Sequence, residues 1–211
     1  MAGRSIRRKL RADMLADRAL DFLVARPREQ VTLELVAKSA GLTFWQAFRI
    51  FDNAETMYRI AANRLARRIE EAFHPIARPA RSVEEAIRGY AFRAAGLVAG
   101  EDYRQLLYLT LRDGCSCPWL AELYRIRVAG AIKHGLEEAI REVGLRLGTV
   151  VLVQPGAPEK FLASLELALV LPKLLPDRVE PGSDEIREAV EAVARRTIAA
   201  TYAVGLEAQA A

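Results

Sequence analysis

Between Val31 and Tyr58 the chain reads VTLELVAKSAGLTFWQAFRIFDNAETMY, and this stretch limits the possible folds more than any other. Thr32 can cap a helix by accepting from a free backbone N–H of its first turn. Leu33, Val36 and Ala37 then recur at helical spacing. Gly41 stands where a helix needs a left-handed residue to stop. Thr43 with Gln46 forms a capping box that opens a second helix. Ala47, Ile50 and Phe51 are its expected buried residues, and Phe44, Trp45, Phe48 and Arg49 are expected outside or at the margin. Two short helices around a tight turn are the outline of a helix-turn-helix, whose second helix enters the DNA major groove.

The charge pattern agrees with that outline. Residues 1–11 hold five basic side chains and no acid, and residues 1–50 hold ten basic and five acidic ones. The whole chain carries only +4, so the excess sits at the N-terminal end, where phosphates would be met.

The run AKSAGLTFWQAFRIFDNAETMY is similar to the DNA-binding signature of the TetR-family transcriptional regulators. The matching residues are Ala37, Ala40, Gly41, Leu42, Thr43, Ala47, Phe48, Phe51, Glu55 and Met57. The resemblance is specific over about the first quarter of the chain; beyond it, only length and helical character agree. It implies an all-α fold of about nine helices, with an N-terminal three-helix helix-turn-helix domain and a larger helical ligand-binding and dimerisation domain. The expected division is 1–53 for the DNA-binding domain, 54–81 for a connector helix and linker, and 82–211 for the sensor.

Along the chain, residues 5–25 read as one helix with Leu10, Met14, Ala16, Leu20, Phe22 and Leu23 as its apolar stripe, stopped by Pro27. Asn53 can cap the next helix, 54–73, with Met57, Ile60, Ala61, Leu65, Ile69 and Phe73 along it. His74, Pro75 and Pro79 mark a break. Ser82 and Glu85 suggest another capping box, opening a helix to about Gly100. A short helix over 102–113 follows, then a turn, then a helix from Pro118 to about Leu147, weakened at Gly130, Gly135 and Gly144. The valine-rich 148–156 segment favours extended backbone but has no partner strand, so a loop is expected. Pro158 and Glu159 start a strongly apolar helix that Pro172 and Pro176 kink or end, and Ser183 is expected to cap the last helix. A helix apolar on nearly all sides needs more than one partner. The last two helices, about 158–176 and 184–206, are therefore expected to pair with their copies in a homodimer, as the resemblance also implies; a two-fold dimer suits a palindromic operator.

Candidate DNA contacts are Arg4, Arg7, Arg8 and Lys9 of a basic arm, together with Thr32, Thr43, Phe44, Trp45, Gln46, Phe48 and Arg49. Gln can pair bidentately with adenine, and Phe and Trp can meet thymine methyl groups; Gln46 can instead be spent on its capping box. The chain departs from the family pattern at Phe48, Ile50 and Ala54, where Tyr, His and Lys are usual. Each change deletes a polar group that typically touches the DNA backbone. Two readings follow: a DNA-binding regulator with an unusual operator, or a helix-turn-helix-like interaction protein with weak or lost DNA binding. The resemblance further implies repression relieved by a small effector. Candidate effector contacts are Phe92, Tyr103, Leu107, Tyr108, Trp119 and Tyr124, which point to an apolar or aromatic ligand.

Other classes find little support. The chain has no Gly-rich phosphate loop, nucleophile elbow or usable His/acid constellation, so an enzyme is not expected. Cys115 and Cys117, with only His74 and His134 distant in sequence, do not make a closed zinc site, and neither metal nor cofactor is expected. No apolar run approaches the ~20 residues that span a bilayer. No secretory signal is evident either, so a cytoplasmic location is expected.

Overall fold

The structure, a computed structural model, describes residues 2–73, 80–174 and 182–209, with side chains for 10–73, 80–174 and 182–201. Every regular element among the described residues is helical. In order these are α1 (Ala2–Ala25), a 3₁₀ turn at Arg28–Gln30, α2 (Leu33–Ser39), α3 (Phe44–Phe51), α4 (Ala54–Ala72), α5 (Val83–Val98), α6 (Glu101–Asp113), α7 (Pro118–Leu123), a π-helical turn at Tyr124–Ala129, α8 (Gly130–Arg146), α9 (Ala157–Leu169), α10 (Leu171–Leu174) and α11 (Ser183–Gln209). The expected helix from Pro118 is thus carried through a π turn. The apolar helix breaks just before Pro172, whose missing N–H is harmless in the first turn of α10.

By compactness the chain divides into two units, residues 1–68 with 105–124 and residues 69–104 with 125–211. The first unit joins the helix-turn-helix to most of α4, to most of α6 and to α7. Its α1 buries Leu15, Ala16, Ala19, Leu20 and Leu23. Leu10 and Met14, expected in the same stripe, are exposed. At about 100° per residue they fall on the opposite side of the helix from Leu15, Ala19 and Leu23. Ile60 is exposed on α4 for the same reason, across the helix from Tyr58, Ala62 and Leu65. The backbone is helical from Ala2, so the expected basic arm begins inside α1; the side chains of Arg4, Arg7, Arg8 and Lys9 lie outside the described residues. Arg64 of α4 pairs with Asp13 (2.7 Å) and Asp17 (2.8 Å) of α1.

A buried polar network occupies the other end of this unit. The Tyr58 hydroxyl donates to Asp113 at 2.7 Å, and the Asp113 carboxylate also accepts from both Nε and Nη2 of Arg112. Arg112 Nη1 donates to the carbonyls of Leu23 (2.8 Å) and Arg26 (3.0 Å), which close the C-terminus of α1. Burial raises the Tyr58 pKa, and its bond to Asp113 raises it further. Burial works against the Asp113 charge, but Arg112 and Tyr58 outweigh it and hold the carboxyl below its usual range.

In the second unit α5 packs against α8, α9 and α11, and α9 against α8, α10 and α11. The core includes Ile87, Tyr90 and Ala94 of α5, Ile132, Leu136 and Ile140 of α8, Phe161 and Leu165 of α9, and Val190 and Val193 of α11. The Tyr90 hydroxyl donates to the Ile132 carbonyl. Gly135 is a packing site more than a weak point, because a Cβ there would lie 2.5 Å from that hydroxyl. Two caps differ from expectation. Ser82 accepts from Glu85 N as expected (3.1 Å), but Glu85 reaches back to Arg81 N (2.7 Å), one residue early. At α11 the capping position falls to Gly182: its carbonyl accepts from Ile186 N, and Glu185 accepts from Gly182 N (3.0 Å), while Ser183 is already helical. Residues 147–156 form a loop, with left-handed Gly148 and Gly156 near its ends. The breaks at His74, Pro75, Pro79 and Pro176 fall outside the described residues.

Asp113→Asn removes the charge that faces Arg112 and is expected to lower stability by about 2–3 kcal/mol at neutral pH. Because the folded pKa of Asp113 is depressed, its contribution is complete above the ordinary carboxylate range of about 4 and is lost as pH falls below it. Urea midpoints of wild type and variant should therefore converge on acidification; a gap that stays constant would refute the assignment.

Candidate nucleic-acid interface

The site is built around how α3 is started and held. Thr32 caps α2 by accepting from Leu35 N at 3.2 Å. After α2 the chain passes through Gly41 at φ 67°, a backbone state that costs a residue with a side chain ~1 kcal/mol or more. Thr43 then forms both arms of the expected capping box: its Oγ1 accepts from Gln46 N (3.3 Å), and Gln46 Oε1 accepts from Thr43 N (2.9 Å). Ala47 and Phe51 are fully buried and orient the helix, with Ile50 half-buried. Asp52, at φ 58°, ends α3, and Asn53 caps α4 through Oδ1 to Thr56 N at 2.7 Å.

Beside these buried residues, the exposed surface of α3 is largely aromatic. Phe44, Trp45 and Phe48 are 40%, 68% and 38% exposed, and their ring centroids are 5.4–6.0 Å apart pairwise. Phe48 lies one turn on from Phe44, and Arg49 one turn on from Trp45, so the four form two neighbouring rows; Arg49 is exposed, as are Thr32, Thr43 and Gln46. Thus the structure brings Thr43, Phe44, Trp45, Gln46, Phe48 and Arg49 together on one element. It also spends the Gln46 carbonyl inside the capping box. Ala54 is exposed at the start of α4 and offers no polar group.

Beside this helix a cavity of about 560 Å³ is lined by Leu23, Arg28, Glu29, Val31, Thr32, Leu33, Phe44, Ala54, Met57 and Tyr58. Arg28 was not singled out from the sequence. It pairs with Glu55, donates to the Cys117 sulfur and lies over the Tyr58 ring at 5.8 Å. Those partners are 27 to 89 positions away in the chain, so no local pattern could have disclosed it.

Of the six candidate effector contacts, Leu107, Tyr108, Trp119 and Tyr124 belong to the first unit, and Phe92 and Tyr103 to the second. Trp119 is edge-on to Tyr58 at 5.3 Å and lies under Arg59 at 4.8 Å. Arg112 lies over Tyr108 at 5.3 Å. Leu107 is buried and Tyr124 half-buried. In the second unit Phe92 is exposed, and the buried Tyr103 donates to Glu166 at 2.6 Å. A cavity of about 250 Å³ in that unit, between α9 and α11, is lined by other residues, among them Lys160, Phe161, Ser164, Val193, Arg196 and Thr197. Cys115 is exposed and Cys117 buried, and among the described residues no group of three or more His, Cys, Asp or Glu side chains could hold a metal ion. No helix among the described residues is long and apolar enough to cross a membrane.

The arrangement of helices matches that of a solved structure. A protein from Mesorhizobium loti, proposed to be a TetR-family transcriptional regulator, superposes with a TM-score of 0.72 over 92% of this chain and 97% of its own. The fold is TetR-like. Sequence identity is only 12%, so the likeness is one of fold. No protein-family model and no curated protein matches the sequence. In this TetR-like fold the motif read from residues 31–58 takes the helix-turn-helix form expected of it.

Thr43→Ala removes one arm of the capping box and is expected to cost about 1 kcal/mol of stability. Chemical denaturation measures it; a change below about 0.3 kcal/mol would mean the cap does not hold α3.

Proposed function

We propose that this protein is a DNA-binding transcriptional regulator that acts as a homodimer on a palindromic operator. It works as a repressor, released when a small, largely apolar effector binds. The observation that carries the reading is the exposed face of α3, with Arg49 beside three aromatic rings, on the basic end of a TetR-like chain. Arg49, Thr43 and the basic residues Arg4, Arg7, Arg8 and Lys9 would meet phosphates, and α3 would meet base edges. Dimerisation is supported by the outer faces of α9 and α11, where Ala163, Leu167 and Ala199 are exposed, Leu167 at 64%. Effector binding would act as a coupling free energy, typically ~1–3 kcal/mol, between ligand occupancy and operator affinity. Half-buried Tyr108, Trp119 and Tyr124 remain candidates for that contact.

A second reading is favoured by one observation: Phe48, Ile50 and Ala54 leave this surface short of polar groups, so the aromatic face could dock a protein instead. Binding to a fragment of the protein's own promoter at several salt concentrations separates the two. A specific complex whose log K falls with log salt supports the regulator; negligible binding even at low salt supports the interaction protein. Arg49→Ala should weaken the complex by ~1 kcal/mol or more, leave the fold intact by circular dichroism, and make the salt slope shallower by about one. Unchanged affinity would show that α3 does not face DNA as proposed.

Leu167→Asp puts a charge on the outer face of α9 and is expected to shift the protein from dimer to monomer in sedimentation at micromolar concentration. A dimer that persists unchanged would move the interface elsewhere.

A further inference from the structure

We infer that α3 reads its site chiefly through the 5-methyl groups of pyrimidines, so the preferred DNA carries thymines (or 5-methylcytosines) opposite Phe44, Trp45 and Phe48. The inference rests on the DNA-binding reading above and adds to it what the helix recognises.

The argument begins with what α3 can offer a base edge. A bidentate pair with adenine needs the glutamine carbonyl as acceptor and its amide as donor at once. Gln46 Oε1 already accepts from Thr43 N at 2.9 Å, and the same geometry caps the helix, so freeing it would weaken α3 itself. Apart from Gln46, the exposed residues of α3 are Phe44, Trp45, Phe48 and Arg49. Of these four, Arg49 carries the charged donors suited to a phosphate or to guanine, Trp45 a single indole N–H, and Phe44 and Phe48 none. The largest exposed area is therefore apolar, and in the major groove the apolar feature of a base pair is the C5-methyl group.

The three rings also form a preset surface. They brace one another at 5.4, 5.8 and 6.0 Å, two of the pairs edge-on, so little side-chain freedom remains to be lost on binding. Ala47 and Phe51, fully buried, fix how the helix is rotated, and Trp45 lies farthest round from them, with Phe44 and Phe48 between. The occupant is nucleic acid because of charge: the aromatic face shares its helix with Arg49, in a 50-residue segment with twice as many basic as acidic groups.

The test starts from duplexes selected by the full-length protein from a random-sequence pool. Each thymine of the winning half-site is replaced in turn by deoxyuridine, which removes the methyl group and leaves pairing intact. At one or two adjacent positions binding should weaken by roughly threefold to fivefold per methyl, the effect of withdrawing one buried CH₂-sized group. Trp45→Ala, at a side chain that is 68% exposed, should abolish the difference between thymine and uracil at its own position. If every uracil duplex binds like its parent while specific, salt-dependent binding persists, methyl reading is wrong and the regulator reading stands. If Trp45→Ala weakens thymine and uracil duplexes equally, the assignment to Trp45 is wrong. If selection yields no specific duplex at all, both readings fall together.

Discussion

One buried carboxylate ties together stretches that lie far apart in this chain. Asp113 ends α6, yet its partners are Tyr58 on α4 and Arg112, whose other bonds go to the last carbonyls of α1. Three segments far apart in sequence therefore share one charge, and each would leave a polar group unpaired inside the protein if it withdrew. Such an arrangement is stiff because partial breakage is costly, more than because its net energy is large. Residues 105–124 share a compact unit with the helix-turn-helix, although more than 50 positions separate them from α3 in the chain.

On that frame, the turn from α2 to α3 fixes the site by local means. A left-handed glycine, a threonine cap and a glutamine that answers it set where α3 begins, and Ala47 and Phe51 set how it is rotated. A glutamine held in its cap is not free to turn both amide atoms toward adenine. Local architecture thus commits the one amide side chain of the exposed surface to the cap and leaves the aromatic residues as its largest feature.

These local devices are what the sequence made legible. Thr32, Gly41, Thr43 with Gln46, and Asn53 each act within three or four residues, so composition and spacing suffice to find them. Where the structure departs from these expectations, the deciding partners are distant or the residue falls at the wrong angle round its helix. Leu10, Met14 and Ile60 are apolar at plausible intervals but fall across the helix from the residues that are buried. The cap of α11 lies one residue earlier than Ser183 because Glu185 selects Gly182 N. Arg28 and Asp113 gave no sign at all, since a lone charged residue gains meaning only from what folding brings beside it.

The pairing of an arginine with three rings on one helix has a consequence for discrimination. Ionic strength acts on the two kinds of contact differently: counterions compete for phosphates, whereas contact between hydrocarbon surfaces is scarcely diminished and is favoured by strongly hydrated anions. On the proposed operator, indiscriminate attachment along the duplex rests on the first kind alone, while the correct address engages both. Brine would therefore thin out the wandering population and leave the proper address as the last to be abandoned.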